Sequence, residues 1–435
     1  MTPILGAIAD DLTGGMEVAA MLVGKGARVA FVTDVSELAA IDDVEAVVVA
    51  RKIRTAEPEI AVADAEAAAQ AFLAMGVRQI FFKYCATFDS TDRGNIGPVA
   101  DRLADMTGAE TTLFCPSYPD VGRTVYQGHL FVSDQLVSDS PKRFDPLTPM
   151  SDPRLVDVLQ RQSRRRVGLL DYASVRGGQE GIGSRLAGLR SRGVQHVIAD
   201  AILADDLAAL AEAAADWPLL TGNSSIAEYL PQAWERRRWC RLLDKAAEPA
   251  PVSGGGAVLA GSCAERTLQQ LAAFEARHPV LWIDLAAVDD VAKTVGEARA
   301  WAAARLGAGP VAIATSASTE RVAAIQARLG RREAAALAET ILGRLAVELR
   351  QLGVRRFLVA GGETSGVVVE SLGVRRLAVG SFRAPGIALA TTPGADPLAL
   401  CLKSGKLGPV DMLAPTLELM AGNPTDEKVI DGEHV

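Results

Sequence analysis

The chain has 435 residues, a formal net charge of −8 and 49% apolar residues. This length allows two domains of ordinary size, each with its own hydrophobic core. The net negative charge disfavours nucleic acid as a partner, and no uncharged apolar run reaches the roughly 18 residues that a membrane span needs.

Cysteine and histidine usage bears on location and on metal binding. The five cysteines are scattered without Cys-x-x-Cys spacing, and none of the four histidines is paired at i, i+4. This pattern predicts reduced thiols in a cytoplasm and no metal-binding residues of the protein's own. The first residues lack the basic and apolar regions of a signal peptide. The oligomeric state stays open, and a homo-oligomer is one alternative.

In the first half of the chain, short apolar strands alternate with alanine-rich helices. The predicted strands are Pro3–Ala9, Val29–Thr33, Ala46–Ala50, Gln79–Lys83, Thr111–Cys115, Val167–Asp171 and His196–Asp200. The predicted helices include Gly14–Val23, Pro58–Met75, Ile96–Met106 and Gly181–Arg192. Alternation of this kind predicts βαβ units and a mainly parallel sheet.

The segment Lys245–Gly256 interrupts this pattern with two prolines and three consecutive glycines, which is typical of an interdomain linker. A second α/β series follows, with predicted strands Ala257–Ala260, Val280–Asp284, Val311–Thr315 and Arg356–Ala360. We therefore predict a first domain over residues 1–245, a linker over 246–256 and a second domain over 257–422. Residues 423–435 are polar and are predicted to form a loose tail.

Two adjacent carboxylates, Asp10 and Asp11, follow the first predicted strand in the sequence Ile-Ala-Asp-Asp-Leu-Thr-Gly. In open α/β sheets, ligands bind outside the carboxyl ends of the strands. A dinucleotide site would need glycines at this position, whereas two aspartates would repel a phosphate. The pair suits a sugar hydroxyl, a proton to be removed or a divalent cation.

Polar residues also follow the strand that ends at Lys83. Lys83 or Arg93 offers a positive charge to a carboxylate, and hydroxyl groups have partners in Asp89, Ser90 and Asn95. Arg54 adds positive charge after another strand of the same sheet. The alternative is structural: Ser90 or Thr91 begins a helix, Asp89 fixes a turn, and the loop of Arg54 is merely solvated.

Three loops rich in glycine and serine follow strands of the second half. They begin at Gly261, Gly361 and Lys403. The second, Gly361–Gly366, precedes a predicted helix, so its backbone N–H groups and the helix dipole favour phosphate. It is not a Walker A motif, and alone it would fit a plain strand-to-helix turn. The three loops together predict a nucleotide site formed by Ser262, Gly361, Gly362, Glu363, Thr364 and Gly405.

These motifs, in this order, resemble those of the four-carbon acid sugar kinase family, and the resemblance runs from about residue 4 to about residue 410. It implies two α/β domains, each with a mainly parallel sheet flanked by helices, and an active site in the cleft between them. The first domain would bind the acid sugar and the second would bind ATP with Mg²⁺. The implied reaction is phosphorylation of the terminal hydroxyl of a four-carbon acid sugar.

The longer motif Lys-Tyr-Cys-Ala-Thr-Phe-Asp-Ser-Thr and the segment Gly122–Gly128 most resemble the branch of the family that acts on 3-oxo-tetronate. Kinases of threonate or erythronate are the nearest alternatives. From other classes, the α/β pattern alone would allow an NAD(P)-dependent sugar-acid dehydrogenase or a non-catalytic sensor. The missing Gly-x-Gly-x-x-Gly sequence after the first predicted strand counts against the dehydrogenase.

The resemblance also suggests roles for the polar residues of the first domain. Lys83 and Arg54 are the predicted partners of the substrate carboxylate. Asp11 is the predicted catalytic base, ahead of Asp10 and Asp89. Because adjacent residues of an extended chain point to opposite faces, we expect only one of Asp10 and Asp11 to face the substrate. In the structural alternative, both aspartates only cap the helix and brace the loop.

Overall fold

The computed structural model describes residues 2–145, 147–246, 248–384 and 387–424. The chain divides into two compact units, Met1–Ala247 and Glu248–Val435. Each unit has its own mainly parallel sheet with flanking helices, which confirms the predicted α/β class and the two domains. Most of the predicted tail, from residue 425 onward, lies outside the described residues.

The first unit contains an alternation of strands and helices. Its strands are β1 Leu5–Ala9, β2 Val29–Val32, β3 Ala46–Ala50, β4 Gln79–Lys83, β5 Thr112–Cys115, β6 Arg123–Tyr126, β7 His129–Val132, β8 Gln135–Leu136, β9 Val167–Leu170, β10 His196–Ala199 and β11 Leu219–Gly222. Its helices are α1 Leu12–Gly24, α2 Pro58–Met75, α3 Ile96–Thr107, α4 Leu155–Gln162, α5 Tyr172–Arg176, α6 Gly178–Arg190, α7 Ala204–Ala214, α8 Ser224–Ala227 and α9 Leu230–Arg236.

The main sheet of the first unit has the strand order β2-β3-β1-β4-β11-β5-β10-β9, and every neighbouring pair is parallel. Strands β6, β7 and β8 form a separate antiparallel sheet. The chain places β2 and β3 on one side of β1 and then crosses to β4 on the other side. Such a reversal is a topological switch point, where ligands of open α/β sheets bind.

Helix α2 packs so closely on strand β1 that the strand has a glycine at the point of contact. Phe72 of α2 is fully buried, and a Cβ atom at Gly6 of β1 would lie 2.5 Å from its ring. A side chain at this position would therefore displace the helix from the sheet. Branched and aromatic residues of β1, β3 and β4, among them Ile8, Val49 and Phe82, extend the same apolar core.

The second unit repeats the alternation with strands β12 Gly255–Ala260, β13 Val280–Trp282, β14 Val311–Ala314, β15 Val354–Ala360, β16 Arg376–Val379, β17 Ile387–Thr391 and β18 Ala399–Lys403. Its helices are α10 Glu265–Glu275, α11 Val291–Ala303, α12 Thr319–Leu329, α13 Arg331–Gln351, α14 Gly362–Ser371 and α15 Leu413–Met420. The strand order is β13-β14-β12-β15-β18-β17-β16, with only the pairs β18–β17 and β17–β16 antiparallel.

Several segments differ from the sequence prediction. The end of the predicted linker belongs to β12, because that strand begins at Gly255. Strand β11 was not predicted, although it lies between β4 and β5 in the middle of the first sheet.

None of the helices in the described part of the chain has both the length and the apolar character of a membrane span.

Candidate active site

The switch point of the first unit is lined by charged side chains from three neighbouring strands. Asp10 and Asp11 follow β1, Arg54 follows β3, and Lys83 is the last residue of β4. Backbone hydrogen bonds fix these strand ends, since Asp10 N donates to Lys83 O at 3.0 Å and Arg54 N donates to Asp10 O at 3.1 Å. Residues 73 positions apart in sequence are therefore held side by side.

The four side chains form one buried ionic cluster. Lys83 Nζ lies 3.0 Å from an oxygen of Asp10 and 3.0 Å from an oxygen of Asp11. The guanidinium of Arg54 lies 2.7 Å from each of the same two carboxylates. The side chain of Lys83 is only 2% exposed. Two cations and two carboxylates thus balance each other where water has little access.

The pairing fixes the protonation states of the cluster. Burial disfavours the charged form of Lys83, but the charges of Asp10 and Asp11 outweigh this effect and raise its pKa. Burial likewise opposes ionisation of Asp11, yet Arg54 and Lys83 hold its pKa well below the usual value. Arg54, Lys83 and Asp11 therefore carry their full charges at neutral pH.

The expectation that Asp10 and Asp11 point to opposite faces is wrong. Both carboxylates reach Lys83 and Arg54, because β1 ends at Ala9 and the chain bends at the two aspartates. Asp11 also caps helix α1, where its Oδ1 accepts from Gly14 N at 3.0 Å. The structure therefore gives Asp11 the capping contact, and its action as a base stays a prediction.

In the loop after Lys83, Asp89 and Asn95, which the sequence predicted to bind hydroxyl groups, form hydrogen bonds and ion pairs with other residues of the protein. Asp89 accepts from Thr87 Oγ1 at 2.5 Å and pairs with Lys142 at 2.8 Å. Asn95 donates to the carbonyls of Ile53 and Ala56 and so holds the loop of Arg54. These contacts position the site, and direct binding of substrate by Asp89 and Asn95 stays a prediction.

A cavity of about 270 Å³ opens beside this loop. Ser90, Arg93 and Asp152 are among the residues that line it. Ser90 is buried and accepts from Gln162 Nε2 at 2.8 Å. Ser90 therefore borders a space large enough for a small polar molecule, while its binding to substrate stays a prediction.

The switch point of the second unit lies between β12 and β15, and glycine, serine and threonine residues pack closely there. A Cβ atom at Gly261 would lie 2.3 Å from Thr364 Oγ1, and one at Gly405 would lie 1.9 Å from Ser262 Oγ. Gly361 has a φ of 125°, which favours glycine. The structure thus brings together the three loops that the sequence predicted for the nucleotide.

The first turn of helix α14 contains two exposed residues of this group, Gly362 and Glu363. Its N-terminal N–H groups lack partners within the helix and suit an anion. Apart from its chain neighbours and the backbone of its own helix, none of the described residues has an atom within 4 Å of the position that a Cβ would take at Gly362. Space for a ligand group therefore adjoins the backbone there.

Lys403, the last residue of β18, begins the third loop predicted for the nucleotide, but only Gly405 of that loop was selected from the sequence as a site residue. It is fully buried, and its Nζ donates to Ser404 O at 2.7 Å. Among the described residues it has no carboxylate partner. Burial lowers its pKa to about 8. The signal in the sequence was a charged residue at the end of an otherwise apolar strand.

Comparisons with known proteins bear directly on these two sites. Residues 5–230 match the family model described as a sugar-binding N-terminal domain, and residues 257–413 match a nucleotide-binding C-terminal domain. The chain belongs to the four-carbon acid sugar kinase family. The residues predicted for the acid sugar fall in the first of these matched domains, and those predicted for ATP fall in the second.

Curated members of the four-carbon acid sugar kinase family are similar over nearly the whole chain. A protein named 3-oxo-tetronate kinase from Pseudomonas fluorescens is 47% identical over 97% of this chain and 98% of its own length. One of the same name from Escherichia coli K12 is 36% identical over 88% of this chain and 98% of its own length.

Two crystal structures support the fold. A protein from Salmonella typhimurium LT2 has a TM-score of 0.83 and 34% identity, covering 94% of this chain and 97% of its own. A protein from Haemophilus influenzae has a TM-score of 0.75 and 33% identity, covering 96% and 99%. The architecture described here is therefore that of experimentally determined relatives.

Lys403→Met tests the cost of the unpaired buried lysine. We expect the free energy of unfolding of the nucleotide-free protein at pH 7 to rise by on the order of 1–3 kcal/mol, because a buried charge is removed. The folded pKa of about 8 lies below the unfolded value of 10.5, so the unfolded chain binds the extra proton between these values. Stability of the parent protein should therefore increase over this pH range, and the advantage of the variant should shrink.

Urea denaturation at pH 7 and at about pH 9.5 measures both effects. Lys406→Met is the matched control, because Lys406 is exposed in the same loop. It should change stability little at either pH. A difference between Lys403→Met and the parent that is the same at both pH values would contradict the argument.

Proposed function

We propose that this protein is an ATP-dependent 3-oxo-tetronate kinase, which phosphorylates the terminal 4-hydroxyl of that four-carbon acid. The observation that carries the proposal is that full-length relatives at 36–47% identity bear this name. The charges at the first switch point and the glycine-rich loops at the second agree with it. The dehydrogenase and sensor alternatives have no comparable support.

An assay of ADP release across four-carbon acids tests this function. We expect kcat/KM for 3-oxo-tetronate to exceed those for D-threonate and D-erythronate by at least about tenfold, since a site built to bind one polar group rejects analogues that lack it. Equal use of the three acids would contradict the narrower assignment. Absence of ADP release with all of them would contradict the kinase itself.

The first unit then supplies the acid-sugar site. We propose that Arg54, Lys83, Asp89, Ser90 and Asn95 surround the substrate at the carboxyl ends of β3 and β4. Arg54 and Lys83 are already neutralised by the two aspartates, so their main effect is to orient those carboxylates and to offer N–H donors to substrate oxygens. A cytoplasmic location and a homo-oligomeric state stay predictions from the sequence.

Asp11 is our proposed catalytic base. Its side chain is 23% exposed, whereas that of Asp10 is 4% exposed, so Asp11 is the more accessible carboxylate. Its low pKa makes it a weak base. In phosphoryl transfer through a loose transition state, the attacking hydroxyl gives up its proton late, and a weak base held close is sufficient.

Asp11→Asn should lower kcat by roughly 10²–10⁴-fold while leaving KM for ATP nearly unchanged. Asparagine retains the helix cap, so loss of the cap does not explain the effect. Asp10→Asn is the matched control, because it removes one negative charge from the same cluster. Near-parental kcat in both variants would exclude the pair and make Asp89 the next candidate.

The second unit supplies the ATP site in our proposal. Backbone N–H groups of Gly362 and Thr364 would meet phosphate oxygens, with Gly361, Ser262 and Gly405 beside them; the N–H of Gly361 itself donates to Lys403 O at 3.0 Å. Glu363 suits ribose hydroxyls better than phosphate, because like charges repel. The described residues contain no cluster of three or more His, Cys, Asp or Glu side chains that could hold a metal ion. We therefore propose that Mg²⁺ enters bound to ATP, keeping several of its waters.

Gly362→Val tests this assignment, and we expect the variant to fold, since outside its chain neighbours and its own helix backbone none of the described residues lies within 4 Å of the new Cβ. We expect KM for ATP to rise roughly 10- to 30-fold, as the contacts of a helix N-terminus with an anion are worth up to about 2 kcal/mol. Gly366→Val, one turn later on α14 and equally unobstructed, is the matched control. Equal KM values for ATP in both variants would remove this loop from the site.

A further inference from the structure

Cys85, two residues beyond β4, lies among several charged groups of the first unit. The charges that interact with its thiol belong to Arg54, Lys83, Asp89, Lys142 and Arg123. Four of these five groups are cations. This part of the unit is therefore where a small anion would be attracted, provided that the cations are not already neutralised.

Three of the four cations are neutralised. Arg54 and Lys83 pair with Asp10 and Asp11. Lys142 Nζ lies 2.8 Å from Asp89 Oδ1 and 2.9 Å from Asp145 Oδ2. These three cations face four carboxylates, which leaves an excess of one negative charge. Such a group of residues repels a substrate carboxylate unless a further cation is present.

Arg123 is that further cation, and its backbone is fixed at the same edge of the sheet. Arg123 N donates to Tyr118 O at 3.0 Å, and Tyr118 N donates to Arg123 O at 2.7 Å. Tyr118 lies three residues beyond β5, and its hydroxyl donates to Glu17 of α1 at 3.3 Å. The hairpin that begins with Arg123 is thus anchored beside the carboxyl ends of the strands.

The guanidinium of Arg123 is half-buried and has no carboxylate partner among the described residues. Its NH1 donates to the carbonyl of Val121, which leaves other N–H donors available. Burial lowers its pKa, but an arginine remains protonated in proteins. A fixed, charged and unpaired guanidinium is suited to bidentate binding of a carboxylate.

We propose that Arg123 binds the carboxylate of the acid substrate and gives the enzyme its preference for acids over neutral sugars. This inference rests on the proposed kinase function. It assigns the carboxylate to Arg123 rather than to Arg54 and Lys83, because Asp10 and Asp11 already neutralise those two cations.

Arg123→Gln and Arg123→Lys test the assignment in the ADP-release assay. We expect KM for 3-oxo-tetronate to rise roughly 10- to 100-fold in Arg123→Gln and less in Arg123→Lys, which retains the charge but not the fork of donors. KM for ATP and the melting temperature should stay close to the parental values. Arg166→Gln is the matched control, because Arg166 is an exposed arginine that precedes β9, at the opposite ends of the strands, and its NH1 likewise donates to a backbone carbonyl, that of Arg192, so it should retain the parental KM for the acid.

Erythrulose provides a second readout, since it replaces the carboxylate of the substrate by a hydroxymethyl group. As an inhibitor competing with the acid, it should bind the parent and Arg123→Gln with the same inhibition constant. Parental activity on the acid together with an unchanged KM in Arg123→Gln would overturn the inference while leaving the kinase function intact. Equal weakening of acid and erythrulose would overturn it as well, because it would show a general distortion of the site. A parent protein without activity on the acid would instead contradict the proposed function.

Discussion

Lys83 is a buried cation, and the first unit depends on the groups that neutralise it. An isolated buried charge costs several kcal/mol, so the lysine requires Asp10 and Asp11 beside it. The cluster also explains the glycine of the first motif. A Cβ atom at Gly14 would lie 1.8 Å from Lys83 Nζ. The motif of Asp10 and Asp11 and the motif that begins at Lys83 are far apart in sequence, yet each restricts which residues the other can contain.

The two units have the same strand order around their first strand, yet they present different chemistry at the same topological position. In each, the first strand lies between the third and the fourth strand of its unit, which creates a switch point. In the first unit the switch point carries paired charges, whereas in the second it carries glycine, serine and threonine. The fold explains where a ligand binds, and the side chains at the strand ends decide which ligand it is.

The sequence predicted the regular elements well because their signals are local. Helix α2 and strands β3 and β4 have the predicted bounds, since apolar runs and helix-forming alanines mark them. Strand β11 was missed because it has only four residues and follows a proline. The ion pairs were missed for a different reason. They join residues more than 40 positions apart, and no local pattern shows which carboxylate neutralises which cation.

A buried lysine ends a strand in each unit, and the contrast between the two lysines shows how charge balance separates their roles. Lys83 has two carboxylate partners, and its pKa is raised. Lys403 has none among the described residues, and its pKa falls to about 8. A neutralised lysine holds its neighbours in place but attracts no further anion. An unneutralised one lowers stability until an anion arrives, and phosphate groups of a nucleotide would satisfy it. The same residue type thus belongs to a balanced ionic cluster at the end of β4 and, among the described residues, has no carboxylate partner at the end of β18.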